Sequence, residues 1–298
     1  MALAKKRAAG LKDREKVSEI DAMVKSGDQA TAYEALQLYR SRSNRAKQRG
    51  DIDAAIRLSS QGSKNLLING YDTAGYEMAC VMLELFEENG KDLDPDTRSA
   101  LIEVDEAFKP DSPSRIAFLK SCVKWSAAHG QRKLGDPLVH SRLALSMWES
   151  GEKRLAMYHF AAGECPQLLV EKLCVPASMS NAEAELERDR LFTLAILHYL
   201  SLENLRDSHE LVVLYKKSLK LIYKKDYQSD LLSFSDYLTQ TSRRDALPLF
   251  KKLCNTYSNV LNYDPVIPTL LTGPIGQRLF GLEPPKADMM TLLQGMFR

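Results

Sequence analysis

The sequence predicts an all-α protein, an irregular α-solenoid of stacked antiparallel helical hairpins related to tetratricopeptide and HEAT repeats. Glycine and asparagine or aspartate interrupt the first part of the chain at intervals of about 20 residues, the length of one helix and a turn. Between these interruptions, apolar residues recur with the period of a helix that buries one face. No alternating apolar run is long enough to predict a sheet.

The first four helix boundaries are predicted from glycine next to a polar capping residue. Glycine adopts the left-handed conformation that closes a helix, and aspartate accepts hydrogen bonds from the free amides that open the next one. The breaks fall at Gly27-Asp28, Gly50-Asp51, Gly70-Tyr71-Asp72 and Asn89-Gly90. The helices between them should bury apolar faces that include Ala32, Ala35, Leu36, Tyr39, Ile52, Ala55, Ile56, Met78, Val81, Met82 and Leu85.

Four further helix starts are predicted where a capping side chain precedes proline. Proline suits the first helical position because the amide hydrogen that it lacks has no partner there. The pairs are Asp94-Pro95, Ser112-Pro113, Asp136-Pro137 and Asp264-Pro265. Together with the glycine breaks, they divide the chain into short helices joined by tight turns.

The second half of the chain is harder to divide because residues 164–272 contain no glycine. The run Leu191–Leu200 is apolar around most of its circumference, which predicts a helix at the centre of its layer, with His198 as a core histidine. The segment 221–230 suits either a short β-hairpin or a helix end. The hairpin is suggested by β-branched and aromatic residues on both sides of a polar turn.

The chain has 298 residues, which suits two domains or one elongated array. We expect one continuous solenoid with two functional halves, residues 1–130 and 131–298, joined near the loop-like segment 129–136. The longest stretch without a charged residue is interrupted by prolines and glycines, so no transmembrane helix and no direct membrane insertion are expected. Charged residues occupy the place of an apolar signal region, which indicates a cytosolic protein.

Signatures of enzymes and metal sites are absent from the sequence, and no catalytic residue, metal or cofactor is expected. Gly70 and Gly75 have the spacing that opens a phosphate-binding loop, but Tyr76 and Glu77 stand where Lys and Ser or Thr would be needed. The glycine pair therefore indicates a helix start. The five cysteines contain no Cys-x-x-Cys pair, which favours reduced core thiols over disulfides or zinc.

Charge is distributed unevenly along the chain, whose net charge is only +2. Residues 1–50 carry twelve Lys and Arg against six Asp and Glu. Arg42, Arg45 and Arg49 are spaced to share one helix face, although cations near a helix end are also favoured by the helix dipole. Because aromatic residues are not interleaved and no nucleic-acid module is recognised, we expect an acidic protein partner rather than nucleic acid.

The last residues form an apolar tail that suits either a cap on the final repeat or a docking surface for a partner helix or peptide. Its apolar members are Met289, Met290, Leu292, Leu293, Met296 and Phe297.

Ordered fragments along the chain resemble the Golgi-to-ER traffic protein 4 family, the scaffold subunit of the cytosolic pathway that delivers tail-anchored membrane proteins. The fragments are Tyr33-Glu-Ala-Leu-Gln-Leu-Tyr-Arg40, Ser60-Gln-Gly62, Lys124-Trp-Ser126, Lys133-Leu-Gly-Asp-Pro-Leu-Val-His140, Tyr158-His-Phe160 and Phe280-Gly-Leu-Glu-Pro-Pro-Lys286. Each is weak by itself, but their order and intervals follow the family over residues 12–298.

The resemblance implies a non-enzymatic helical scaffold with two partners. Its amino-terminal half would dock on the targeting ATPase through residues that match the family pattern: Tyr33, Glu34, Arg40, Arg45 and Glu77. Its carboxyl-terminal half would hold a ubiquitin-like-domain co-chaperone or, in animals, a large chaperone partner. Contact residues chosen there for apolarity near the matching segments are Leu231, Phe234, Leu279 and Phe280. The alternative is a generic helical-repeat interaction subunit of another cytosolic complex.

Overall fold

The computed structural model describes residues 18–25, 27–174, 181–259 and 262–283. These residues form helices joined by short connections and contain no β-strand. The chain divides into two compact units, Met1–Glu152 (unit 1) and Lys153–Arg298 (unit 2). The boundary predicted between residues 130 and 131 lies inside unit 1, and the assignment of each half to a partner stays a prediction.

Unit 1 consists, in its described part, of stacked helical hairpins. The helices are α1 (residues 18–25), α2 (Gln29–Gln48), α3 (Ile52–Ile68), α4 (Asp72–Glu88), α5 (Pro95–Ala107), α6 (Pro113–His129) and α7 (Pro137–Glu149). Helix α2 packs on α3 and α3 on α4, and each of α2, α3 and α4 also contacts the helix two positions further along. This contact pattern is that of stacked hairpins, and it confirms the predicted fold class.

Helix starts in unit 1 lie where the capping residues predict them. Asp94, Ser112 and Asp136 each accept a hydrogen bond from a backbone amide of the first turn, with proline in that turn. Asp28 and Asp51 cap α2 and α3 in the same way. The prediction is wrong at Asp72, which is the first residue of α4 rather than its cap, because the carboxylate accepts a hydrogen bond from the Ser112 hydroxyl instead.

Unit 2 is built around one central helix. Its described elements are α8 (Lys153–Ala162), α9 (Pro166–Cys174), α10 (Ala182–Ser201), α11 (Leu205–Tyr223), α12 (Asp230–Arg243), α13 (Leu247–Thr256), α14 (Val266–Leu270), a π-helical segment (Leu271–Ile275) and α15 (Gly276–Phe280). Helix α10 contacts α8, α11, α12 and α14, and nearly all of its apolar run is buried. The predicted central position of this helix is confirmed.

The segment 221–230 is a helix end and a connection, so the alternative of a β-hairpin is wrong. Helix α11 runs to Tyr223 and ends at Lys224 in the left-handed conformation (φ 54°). The connection that follows is held by side chains rather than by strand pairing. Tyr227 donates a hydrogen bond to Asp189 of α10 (2.9 Å), and so does Ser229 (2.6 Å).

The predicted core histidine of α10, His198, is largely enclosed by its neighbours and packs edge-on against the ring of Tyr158 (5.7 Å between centroids). Desolvation by burial lowers the pKa of His198 to about 4. In the unfolded chain this histidine binds a proton near pH 6.5, whereas in the folded chain it stays neutral down to about pH 4. The stability that the neutral ring contributes is therefore present above pH 6.5 and is lost as pH falls toward 4.

We therefore expect acid to destabilise the chain partly through His198. Between pH 7.5 and 4.5 its contribution to the free energy of unfolding should fall by about 2–3 kcal/mol. His198→Leu should remove that part of the loss, and urea unfolding at the two pH values measures it. An equal loss in wild type and variant would contradict the assignment.

Candidate functional site

The candidate site lies on α2, whose buried face follows from its sequence. Asp28 caps the helix by accepting a hydrogen bond from the Thr31 amide (3.0 Å). Ala32, Ala35, Leu36 and Tyr39 recur at helical spacing and are almost fully buried against unit 1. The opposite face of α2 is thereby left on the surface.

A polar cluster around Tyr39 fixes α2 to its neighbours. The Tyr39 hydroxyl donates to the carboxylate of Asp21 in α1, and Asn65 of α3 donates to both groups (3.1 Å to the hydroxyl, 3.0 Å to the carboxylate). Burial, and then the hydrogen bond to Asp21, raise the pKa of Tyr39. Gly62 of α3 lies against the Tyr39 ring, since a Cβ atom there would come within 2.7 Å of the ring. The approach of α2 to α3 thus depends on this glycine.

The exposed face of α2 carries four of the predicted contact residues. Tyr33 is 62% exposed, and Glu34 and Arg45 are also exposed, while Arg40 is half-buried. Arg40 and Arg45 both line one shallow groove between side chains of this helix face (the α2 groove). The other residues that line it are Gln37, Ser41, Asn44 and Gln48.

Glu77, the predicted contact residue on α4, is joined to the exposed face of α2 by an ion pair. One Nη atom of Arg40 lies 3.3 Å from a carboxylate oxygen of Glu77, and both side chains are roughly two-fifths exposed. A pair this exposed contributes little to stability, about 1 kcal/mol or less. The pair connects Arg40 of α2 to the predicted residue on α4.

Arg45 differs from its neighbours in its electrostatic surroundings. Lys47 pairs with Glu88 of α4, as Arg40 does with Glu77. Among the described residues, Arg45 forms no ion pair, so its charge is available to an approaching molecule. An exposed, unpaired cation in a polar groove can bind a carboxylate of a partner protein with little loss of internal contacts.

Sequence reasoning missed the uncharged half of the groove. Gln37, Ser41, Asn44 and Gln48 are spaced i, i+4, i+7 and i+11, which is one face of a helix. That spacing is readable once the buried face has been assigned. The four side chains can donate and accept hydrogen bonds, which suits a polar contact surface rather than a catalytic site.

The residues predicted in the carboxyl-terminal half mostly lie in the core. Leu231 and Phe234 of α12 are 2% and 0% exposed. Phe280 of α15 is also buried and stacks on Phe250 (4.2 Å), whereas Leu279 is half-buried. The exposed side chains on the same helices include Tyr237 of α12, which is 50% exposed.

Neither a group of metal-ligating side chains nor a membrane-spanning helix occurs in the parts of the chain that the structure describes. Within those ranges, no three acidic, histidine or cysteine side chains are grouped to hold a metal ion. Over the same ranges, no helix combines the length and apolarity that crossing a bilayer requires. No disulfide joins the five cysteines, all of which lie in the described ranges, and Cys122 is the fully buried one. The apolar tail predicted as a cap or docking surface lies outside the described residues.

Comparison with known proteins gives a family and a fold. The family model described as Golgi to ER traffic protein 4 matches residues 49–298, a range that includes Glu77 and unit 2 and begins after α2. Golgi to ER traffic protein 4 homolog of Gallus gallus is 28% identical over 267 residues, 89% of this chain and 78% of the relative. The homolog of Homo sapiens is also 28% identical, over 89% of this chain and 80% of the relative.

A solved structure agrees with these sequence matches. The crystal structure of Get4 from C. therm. superimposes with a TM-score of 0.78, at 23% identity, over 95% of each chain. At this identity the likeness shows that the two proteins share a fold.

Proposed function

The chain belongs to the Golgi to ER traffic protein 4 family, and on that premise we propose that it is a non-enzymatic scaffold of the tail-anchored protein targeting pathway. In this role it bridges two proteins in the cytosol. A targeting ATPase docks on the α2 groove, and a ubiquitin-like-domain co-chaperone, or a large chaperone partner in animals, docks on unit 2. The bridge brings the substrate-loaded co-chaperone to the ATPase.

The observation that carries the proposal is the α2 groove. Tyr33, Glu34, Arg40 and Arg45 lie on the exposed part of a helix that the hydrogen bonds of the Tyr39 cluster join to α1 and α3. Glu77 reaches the same surface. Cations and amides in a shallow groove suit an acidic protein surface. Steering by such charges raises the association rate and is weakened by salt.

The docking of the second partner rests on family membership and on the surface of unit 2. Leu231, Phe234 and Phe280 hold α12 and α15 in the core, and Leu279 lies at the edge of it. Exposed aromatic and aliphatic side chains beside them, Tyr237 and Leu249, are the groups that a partner would contact.

Charge reversal at Arg45 should weaken ATPase binding. Because Arg45→Glu replaces an unpaired cation by an anion facing an acidic surface, we expect a loss of about 1–3 kcal/mol, which is about 5–150-fold in Kd. Calorimetric titration of the variant into the ATPase measures it. Lys120→Glu, an exposed lysine of α6 outside the groove, is the matched control and should bind as wild type does. Unchanged affinity of folded Arg45→Glu would remove Arg45 from the site.

Bridging itself is tested by size-exclusion chromatography of the three proteins. The co-chaperone should elute with the ATPase only when this chain is present. Co-elution without it, or a chain that binds one partner and excludes the other, would contradict the scaffold role. A generic helical-repeat subunit would instead bind short peptides and show no response to nucleotide.

A further inference from the structure

Helix α11 of unit 2 presents a face that neither proposed docking surface uses. Its apolar residues Leu211, Val212, Tyr215 and Leu219 are buried in the core of the unit. The opposite face carries side chains at i, i+4, i+7 and i+8, and two more lysines follow directly after the last helical residue, Tyr223. We define the α11 lysine surface by these residues: Val213, Lys217, Lys220, Leu221, Lys224 and Lys225.

Positive charge is concentrated on this surface and only partly neutralised. Lys220 pairs with Asp226 (3.0 Å), and the neighbouring Lys216 pairs with Asp236 of α12. Within the described part of the chain, Lys217, Lys224 and Lys225 are exposed and form no ion pair. Like charges held this close repel one another, and an anionic partner relieves that repulsion.

Two aliphatic side chains stand among these lysines. Val213 is 50% exposed and Leu221 is 72% exposed. They lie eight residues apart on one helix, a distance of about 12 Å. Apolar residues surrounded by charged ones are typical of a protein interface. The apolar residues contribute affinity, and the charges contribute orientation and a faster association rate.

The charges disfavour residues 1–17 and 284–298 as occupants. Residues 1–17 carry six basic and two acidic side chains and would be repelled, and residues 284–298 carry two basic side chains and one acidic side chain, too few carboxylates to pair with three lysines. An anionic membrane is the weaker candidate, because insertion needs a broad apolar face and α11 buries that face in unit 2.

We propose that the α11 lysine surface binds an acidic segment of a partner protein, with two aliphatic or aromatic residues spaced to meet Val213 and Leu221. The acidic side chains pair with Lys217, Lys224 and Lys225. This inference does not depend on the ATPase and co-chaperone docking proposed above, so either can fail while the other stands.

Panning a phage library of random peptides against the full chain tests the proposal. Wild type should enrich acidic peptides that contain two spaced apolar residues. Fluorescence anisotropy of the best labelled peptide should then show salt-sensitive binding.

The triple variant Lys217→Glu, Lys224→Glu, Lys225→Glu should lose at least about tenfold in affinity for this peptide, and Leu221→Ser should lose less. The neutral triple variant Lys217→Gln, Lys224→Gln, Lys225→Gln should also lose affinity, because it removes the same three charges. Circular dichroism checks that each variant is folded.

Matched controls lie on α13 of the same unit. Lys251→Glu and Lys252→Glu alter exposed lysines to which no docking role is assigned, and they should leave affinity unchanged. No enrichment of acidic peptides, equal binding of a scrambled peptide, or binding that survives both triple variants would overturn the proposal. So would tighter lysine-dependent binding to phosphatidylserine vesicles than to the peptide, which would assign the surface to a membrane.

Discussion

Asp105→Ala is expected to lower the free energy of unfolding by about 3–5 kcal/mol. Asp105 of α5 is 1% exposed and receives two hydrogen bonds from Arg115 of α6 (2.7 and 3.2 Å) and one from Arg142 of α7 (2.8 Å). The carboxylate thus joins three helices of unit 1. Removing it deprives Arg115 and Arg142, which are only 12% and 23% exposed, of their shared buried anion. The more exposed Glu149 and Glu106 remain as their partners.

Urea unfolding followed by tryptophan fluorescence measures this effect in the correct unit, since Trp125 and Trp148 both lie in unit 1. Glu106→Ala is the matched control, because Glu106 pairs with the same Arg142 but is 60% exposed. Its expected loss is about 1 kcal/mol or less. Equal losses in the two variants would show that Asp105 does not hold the helices together.

Phe234→Ala is also expected to cost about 3–5 kcal/mol of stability, because the ring is fully buried and its removal leaves a cavity. This expectation separates two roles for a residue that the family resemblance suggests as a partner contact. A core residue lowers stability when truncated. A surface contact lowers partner affinity and leaves stability unchanged.

Tyr237→Ala, one turn further along α12, is the comparison. Its side chain is 50% exposed, so stability should change by about 0.5 kcal/mol or less, while co-chaperone binding should weaken if the partner docks on α12. Thermal unfolding by circular dichroism and titration of the co-chaperone measure the two quantities. If Phe234→Ala kept wild-type stability and lost binding, the Phe234 ring would be a partner contact and not part of the core of unit 2.

The helices of unit 1 could be predicted because their ends carry local signals. Asp94, Ser112 and Asp136 each combine a capping side chain with proline, and Gly50, Gly70 and Gly90 adopt positive φ where helices end. These interactions join residues that are close together in the sequence, so they can be recognised without knowing the fold. Asp72 was assigned incorrectly because its partner, Ser112, is 40 residues away.

Unit 2 was harder to predict because residues other than glycine adopt the left-handed conformation at its turns. Glu164, Glu203, Lys224 and Asp245 all adopt positive φ at its turns. A side chain in that conformation is uncommon and gives no signal in the sequence. The connection after Lys224 is held by Asp189, whose role depends on a long-range contact.

The candidate site could be predicted in part. The exposed cations of α2 follow from its helical period, since Ala32, Leu36 and Tyr39 fix which face is buried. The ion pair between Arg40 and Glu77 depends on how α4 packs beside α2, which no local pattern shows. Burial of Leu231 and Phe234 likewise depends on packing, because apolarity alone does not distinguish a core residue from a contact.

Calorimetric titration of this chain into the targeting ATPase, with and without ATP and at low and high salt, is the most direct test of the scaffold role. We expect tight binding that ATP favours, that salt weakens and that Arg45→Glu reduces. A folded chain that binds the ATPase in no nucleotide state would contradict the scaffold role and favour a helical-repeat subunit of a different complex.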